Sequence, residues 1–233
     1  MRSCVSGLVI ISAVVACGAA CTSSGGGGRA GGASADEAAP SSVRVVALEA
    51  QACDRPQPRF GQATLLDSHT ALTAGHLVEG KLRVLELDGE PASVVAIDEQ
   101  LDVAVISTGR STELSIDDAA SVSSGSYVDG PVEIVLAAGV IEADVVRALT
   151  LRVDDATDGA MYDRPSLELD IVVEPGHSGA PVVDDAGRVV GVVMLRRPSA
   201  SVSYATRFDA LGDFLSSAAA AAGYAFAVDA PCT

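Results

Sequence analysis

Three short segments carry residue types that could do chemistry together. In Leu72-Thr73-Ala74-Gly75-His76 a β-type run ends in a small-residue turn that presents a histidine. In Leu101-Asp102-Val103-Ala104-Val105-Ile106 one carboxylate stands at the entrance of an apolar strand, where burial beside a partner is easy. In Pro175-Gly176-His177-Ser178-Gly179-Ala180-Pro181 a serine sits in a Gly-flanked turn that runs into Pro181-Val182-Val183. A serine hydroxyl is a poor nucleophile until a base takes its proton, and imidazole titrates near neutral pH. The imidazole in turn needs a buried carboxylate on its other nitrogen to hold the useful tautomer. Glycines beside the serine let backbone N–H groups converge on a developing oxyanion without a Cβ in the way. Taken singly, each segment is a weak signal; their combination and order are what carry weight.

The elements that must position these residues read as short β-runs between turn signals. Val43 to Leu48, Gly61 to Leu66, His69 to Ala74, Lys81 to Leu87, Ala92 to Ile97 and Asp102 to Ser107 form a first six. After the polar stretch Thr108 to Gly130 come Val132 to Val140, Ala143 to Val153, Leu167 to Val173, Pro181 to Asp184, Arg188 to Leu195 and Ser201 to Thr206. Val-rich runs spaced roughly ten residues apart predict an all-β barrel or sandwich. Phe208, Leu211, Leu215 and Ala218 recur on one face and predict a terminal helix over about 207–222, stopped by Gly223.

Composition narrows the function classes. Of 233 residues 48% are apolar, enough for a sizeable core, and with no Trp and 4 each of Phe and Tyr that core must be aliphatic. A net charge of −16 repels phosphate and argues against nucleic-acid binding. After residue 20 no run of 18 apolar residues suggests an internal membrane span. Residues 1–20 read as a signal peptide, with Arg2 as their only charge and an apolar run from Val5 to Ala16 too short to span a bilayer. Residues 21–42 are Gly/Ser/Ala-rich and read as a flexible linker. The signal's end resembles a bacterial lipoprotein cleavage site, with lipidation at Cys21 or at Cys17. Val14 gives Cys17 the better preceding sequence, whereas Cys21 leaves only Cys53 and Cys232 to pair and is favoured. An ordinary cleaved signal with full secretion is the alternative. Outside the cytoplasm a Cys53–Cys232 disulfide is expected, tying the tail, residues 224–233, to the N-terminal half.

The order His76, Asp102, Ser178 with these flanking residues resembles the trypsin-like (chymotrypsin-fold) serine proteases, nearest their bacterial HtrA-type branch. The shared motifs are the Thr-Ala-Gly-His turn, the Asp-Val-Ala-Val strand and a Gly-X-Ser-Gly turn before a Val-rich strand. The resemblance covers roughly residues 43–223 and implies two six-stranded antiparallel β-barrels, about 43–115 and about 125–206, with a short C-terminal α-helix. It implies a serine endopeptidase acting on protein or peptide substrates without a cofactor. His76 would be the general base, Asp102 its orienting carboxylate and Ser178 the nucleophile, with the N–H groups of Gly176 and Ser178 as the oxyanion hole. The chain departs from the family at Ala180, where Gly is usual, and at His177, where Asn or Asp is usual; His177 reads as a turn residue and His69 as a strand-edge residue. No Cys/His spacing suggests a metal site. No PDZ domain is expected after the barrels.

In proteases of this fold the residue six before the serine lines the base of the primary pocket, here Val172. The later strand supplies a wall, here Met194, Leu195 and Arg196. Cleavage after Lys or Arg would need a carboxylate at the pocket base, since a buried cation without a partner is costly. Val172 offers none, so small or branched apolar side chains are expected before the scissile bond. Arg196 or Arg197 turned inward would instead select Glu or Asp. An α/β-hydrolase is excluded, because its order is Ser, Asp, His and its serine turn enters a helix. A catalytically silent binding module of the same fold is the competing class.

Overall fold

Aliphatic strands with one buried face must close on themselves or on each other, and here they do both. A computed structural model of the chain describes residues 43–108, 129–154 and 160–221. The first barrel consists of β1 (Val45–Ala52), β2 (Arg59–Leu65), β3 (Thr70–Ala74), β4 (Leu82–Leu87), β5 (Glu90–Asp98) and β6 (Val103–Thr108). The second consists of β7 (Gly130–Leu136), β8 (Gly139–Asp154), β9 (Met161–Leu169), β10 (Pro181–Val183), β11 (Val189–Arg197) and β12 (Val202–Arg207). Neighbours run β1-β2-β3-β6-β5-β4 and β10-β11-β12-β9-β8-β7, and both rings close through antiparallel pairing of β1 with β4 and of β10 with β7. Closure removes the exposed strand edges that would otherwise template aggregation. A one-turn helix, α1 (Gly75–Val78), follows β3, and a 3₁₀ turn, Phe208–Leu211, leads into α2 (Gly212–Ala221). Among the described residues no helix is long and apolar enough to cross a membrane.

The buried side chains fall into three clusters, and the period-2 alternation of a strand explains the division. On β6, Ala104 and Ile106 point into the first barrel, while Val103 and Val105 join a cluster that also holds Val183, Val189 and Val192 of the second. On β3, Ala71 and Leu72 divide in the same way. On β10, Val182 faces the second barrel's own core and Val183 the shared cluster. The segments that look uniformly apolar in the sequence are therefore strands covered on both faces. Phe208, Leu211 and Ala218 extend the shared cluster, so the terminal helix packs where the barrels meet. Each fully buried Val or Leu contributes about 1.5–3 kcal/mol relative to its exposed state.

All twelve expected strands have a counterpart, with two differences of substance. The run Val132 to Val140 is broken by a tight turn at Ala137-Ala138, where β7 pairs with β8 down to Leu136 opposite Gly139. The ninth strand lies earlier than the expected Leu167 to Val173: it occupies Met161–Leu169, and residues 170–173 leave the sheet. Pro165 and its charged neighbours disguise this strand. Pro165 is tolerated because β9 has β8 beside it throughout but meets β12 only from Ser166 onward. The signal peptide 1–20, the linker 21–42 with Cys17 and Cys21, the boundary between barrels at about 115–125 and the tail 224–233 with Cys232 lie outside the described residues.

Candidate active site

His76 and Asp102 are brought together by sheet register. They sit just beyond the paired ends of β3 and β6, where Ala74 lies opposite Val103. His76 lies on α1 between the buried Gly75 and Leu77, so the helix is anchored on both sides of the one residue left partly open. Arg59 reaches under this turn, its Nη1 and Nη2 donating to the carbonyls of His76 and Glu79 at 2.6 Å each. Burial pushes the Arg59 guanidinium below its ordinary value.

The Asp102 carboxylate holds both ends of the histidine. Its Oδ1 accepts the His76 backbone N–H at 2.7 Å, and the imidazole Nδ1 lies 3.1 Å from Oδ1 and 3.0 Å from Oδ2. The Asp102 side chain is 7% exposed and that of His76 40%, so a buried anion orients a ring whose far edge is open. Asp102 itself has φ 56, the left-handed region that Asp and Asn tolerate better than other side chains.

The second barrel contributes a loop instead of a strand end. Ser178 lies half-buried in the turn before β10, and its neighbours are pinned to the first barrel. Ser178 O accepts the Gln62 N–H at 2.8 Å, and Gln62 Nε2 donates to Gly176 O at 3.0 Å. Gly179, at φ 85, packs so closely that a Cβ would overlap Gln62 O and approach Thr73 Oγ1. Within the turn, His177 N–H donates to Glu174 O at 3.1 Å while the His177 ring Nδ1 accepts the Glu174 N–H at 3.2 Å. His177 is thus the clasp of the turn. The amides of His177, Gly179 and Ala180 are all engaged by backbone carbonyls, whereas those of Gly176 and Ser178 donate to nothing among the described residues. Gly176 has φ 96, which only a glycine adopts at low cost. No hydrogen bond joins Ser178 Oγ to His76 among the described residues; such bonds are often long before substrate arrives.

A cavity of about 280 Å³ adjoins the histidine and is lined by His76, Asp102, Ile97, Val153, Met194 and Leu195 among others. Met194 occupies the irregular step of β11, between Val193 opposite Ala205 and Leu195 opposite Tyr204, and is buried. Val172 is half-buried on the segment that has left the sheet and does not line this cavity. Nor does Arg196, which lies exposed with Nη1 3.8 Å from Glu174 Oε2. His69 is exposed in the turn before β3, its N–H donating to Asp67. A larger cavity, about 510 Å³, lies in the second barrel beside Glu133, Glu142, Asp144, Asp170 and Asp184 and contains none of the expected site residues. Cys53 is disulfide-bonded, and its expected partner Cys232 is outside the described residues. Among the described residues no group of three His, Cys, Asp or Glu could hold a metal.

Sequence reasoning missed Arg59 and Gln62, which hold the His76 turn and the Ser178 loop, and a third residue that reaches the carboxylate itself. Arg164 of β9 is buried, lines the same cavity and places Nη1 3.6 Å from Asp102 Oδ2. A charged residue beside a proline, in a segment outside the expected strands, gave no sign of it.

The fold has counterparts among known proteins. The Rv3671c protease of M. tuberculosis in its active form superposes with a TM-score of 0.65 at 19% identity, covering 83% of this chain and 87% of that one. The HtrA-type protease AlgW with tripeptide gives 0.57 at 19% identity, covering 74% of this chain and 59% of that one. The serine protease Do-like HtrB of Bacillus subtilis (strain 168) is 27% identical over 140 residues, 56% of this chain, so that the chain spans about 30% of that relative's length. The model of the trypsin-like peptidase domain matches residues 61–192, more than half of the sequence, from within β2 to within β11 and including His76, Asp102 and Ser178, and the chain belongs to that family.

Proposed function

We propose that the protein is a serine endopeptidase acting outside the cytoplasm through His76, Asp102 and Ser178. The observation that carries this is the double hold of Asp102 on His76, through backbone N–H and Nδ1, which leaves Nε2 as the ring's free base. With Nδ1–H donated to the carboxylate, Nε2 takes the Ser178 proton as Oγ attacks the carbonyl carbon of the scissile peptide. The oxyanion forms beside the uncommitted N–H groups of Gly176 and Ser178. Collapse of the tetrahedral intermediate breaks the C–N bond as Nε2 returns the proton to the leaving amine. Water, deprotonated by Nε2, then hydrolyses the acyl-enzyme and regenerates the serine.

The HtrA-type relatives support protein or peptide substrates. The signal-like first 20 residues support export, with Cys21 or Cys17 as the lipid anchor and residues 21–42 as the tether. A Cys53–Cys232 bridge suits that compartment. Met194 and Leu195 on the cavity wall support cleavage after small or branched apolar residues, and Val172, half-buried outside that cavity, offers no carboxylate to favour Lys or Arg. The pairing of Arg196 with Glu174 weighs against an inward arginine selecting acidic residues.

A fluorophosphonate probe tests the reading on the mature protein. Covalent labelling that vanishes in Ser178→Ala is expected; an unlabelled wild type would mark the chain as a silent binding module. Peptide-library profiling then reads the primary pocket, and dominant cleavage after Lys or Arg would contradict the role given to Val172.

A further inference from the structure

Arg164 does not belong to the three residues of the proposed mechanism, yet it is the most deeply buried cation of the described residues. Its side chain, 8% exposed, comes from the second barrel and ends on the first. All three nitrogens of the guanidinium are used there. Nε donates to Gln100 O and Nη2 to Glu99 O, both at 2.9 Å, and Nη1 faces Asp102 Oδ2 at 3.6 Å. Thr206 of β12, also in the second barrel, donates through Oγ1 to Leu101 O at 2.8 Å. Three consecutive carbonyls before Asp102 are therefore held by two side chains of the other barrel. The Tyr162 ring lies 5.6 Å from the guanidinium carbon and backs it.

We infer that Arg164 is a positioning residue, which fixes the Asp102 carboxylate from across the cleft and thereby aligns His76; this rests on the proposed triad. A planar fork suits the task, because one group binds two carbonyls and a carboxylate at once. Asp102 needs the help. Its backbone is in the left-handed region, it lies in a turn and not in a strand, and among the described residues its buried carboxylate has only the histidine as another partner. The arrangement makes correct docking of the two barrels a condition for an aligned imidazole.

Arg164→Met and Arg164→Lys separate this role from a structural one. Displacement of a reacting group by about 1 Å costs on the order of 10²-fold. Arg164→Met is expected to lose about that factor in kcat on a peptide substrate, with KM within about threefold and the thermal midpoint still well above assay temperature. Arg164→Lys, which keeps the charge but not the fork, should recover only part of the loss. Added ethylguanidinium should restore turnover to Arg164→Ala, since the cavity at Arg164 opens to solvent beside His76. Unchanged kcat in both Arg164→Met and Arg164→Lys, or a loss confined to KM, would overturn the inference. A second readout does not need turnover. The low-field proton resonance of His76 Nδ1–H on Asp102, recorded in a Ser178→Ala background, should move or broaden in Arg164→Lys. An unaltered resonance sinks the positioning role even if the protein proves to be silent, whereas an unlabelled wild type with a shifted resonance sinks only the triad.

Discussion

The two barrels supply the site by different means. The first offers His76 and Asp102 from the ends of neighbouring strands, so the pairing of Ala74 with Val103 already sets their distance. The second offers Ser178 from a loop without strand structure, whose place depends on bonds to Gln62 and close packing of Gly179 on Thr73. Sheet register is built from many bonds and tolerates single losses. A loop docked across an interface has only a few contacts, and each matters more. The backbone separation of His76 and Asp102 should accordingly be robust, whereas the aim of the Asp102 carboxylate, which Arg164 reaches from the other barrel, and the seat of Ser178 should be sensitive.

The sharpest break removes the chemistry itself. Ser178→Ala or His76→Ala should lower kcat on the order of 10⁶-fold if the groups act as a unit, and Asp102→Asn about 10⁴-fold through the wrong tautomer. Stopped assays on a peptide substrate read both, and near wild-type turnover by Ser178→Ala would refute the assignment. The docking of the nucleophile loop comes next. Gly179→Ala forces a Cβ into Gln62 O at a left-handed φ, and kcat/KM should fall by at least about 10²-fold as Ser178 is displaced. A fall no larger than that from a surface alanine would show the loop to be less tightly seated than its contacts imply.

A gentler probe keeps the backbone and cuts one tie. Gln62→Leu deletes the bonds from Nε2 to Gly176 O and from Ala137 N–H to Oε1. It should cost about 1 kcal/mol in urea unfolding and about tenfold in kcat, whereas an exposed substitution on β5 should cost neither.

The smallest effect is confined to the second barrel. At Asp184, burial raises the carboxyl's proton affinity, but hydrogen bonds from Arg188 and the Ala186 N–H outweigh it and hold the group below its ordinary 3.8. Its stabilisation is therefore complete above that value and is lost as pH falls through the lower folded one. Asp184→Asn should cost on the order of 1 kcal/mol near neutrality, flatten the loss of stability below about pH 4 and leave kcat unchanged. Urea melts at several pH values measure it.

The sequence was informative wherever the signal was local. The turn to His76, the strand after Asp102 and the glycines around Ser178 are each written in consecutive residues, and so are the aliphatic runs of the barrels. The ninth strand was displaced because Pro165 argues against a strand unless the absence of a second neighbour is known. The burial of Met194 depends on an irregularity in strand pairing, which no alternation pattern reveals. Arg164 was illegible for a stronger reason. Its partners at Glu99, Gln100 and Asp102 lie more than 60 positions away, and only the docking of two closed barrels brings them together.

The left-handed backbone at Asp102 also bears on how such a site can change by mutation. An Asp codon reaches Asn, Gly, Ala, Val, His, Tyr or Glu by a single nucleotide, and of these only Glu keeps a carboxylate. Asn and Gly accept the conformation but lack the charge, whereas Glu keeps the charge and is poorly suited to the conformation. No one-step replacement satisfies both demands. The accessible substitutions that the fold tolerates best are therefore those that abolish the carboxylate, so under the proposed mechanism drift at this position would lead from a hydrolase toward an intact but inert scaffold.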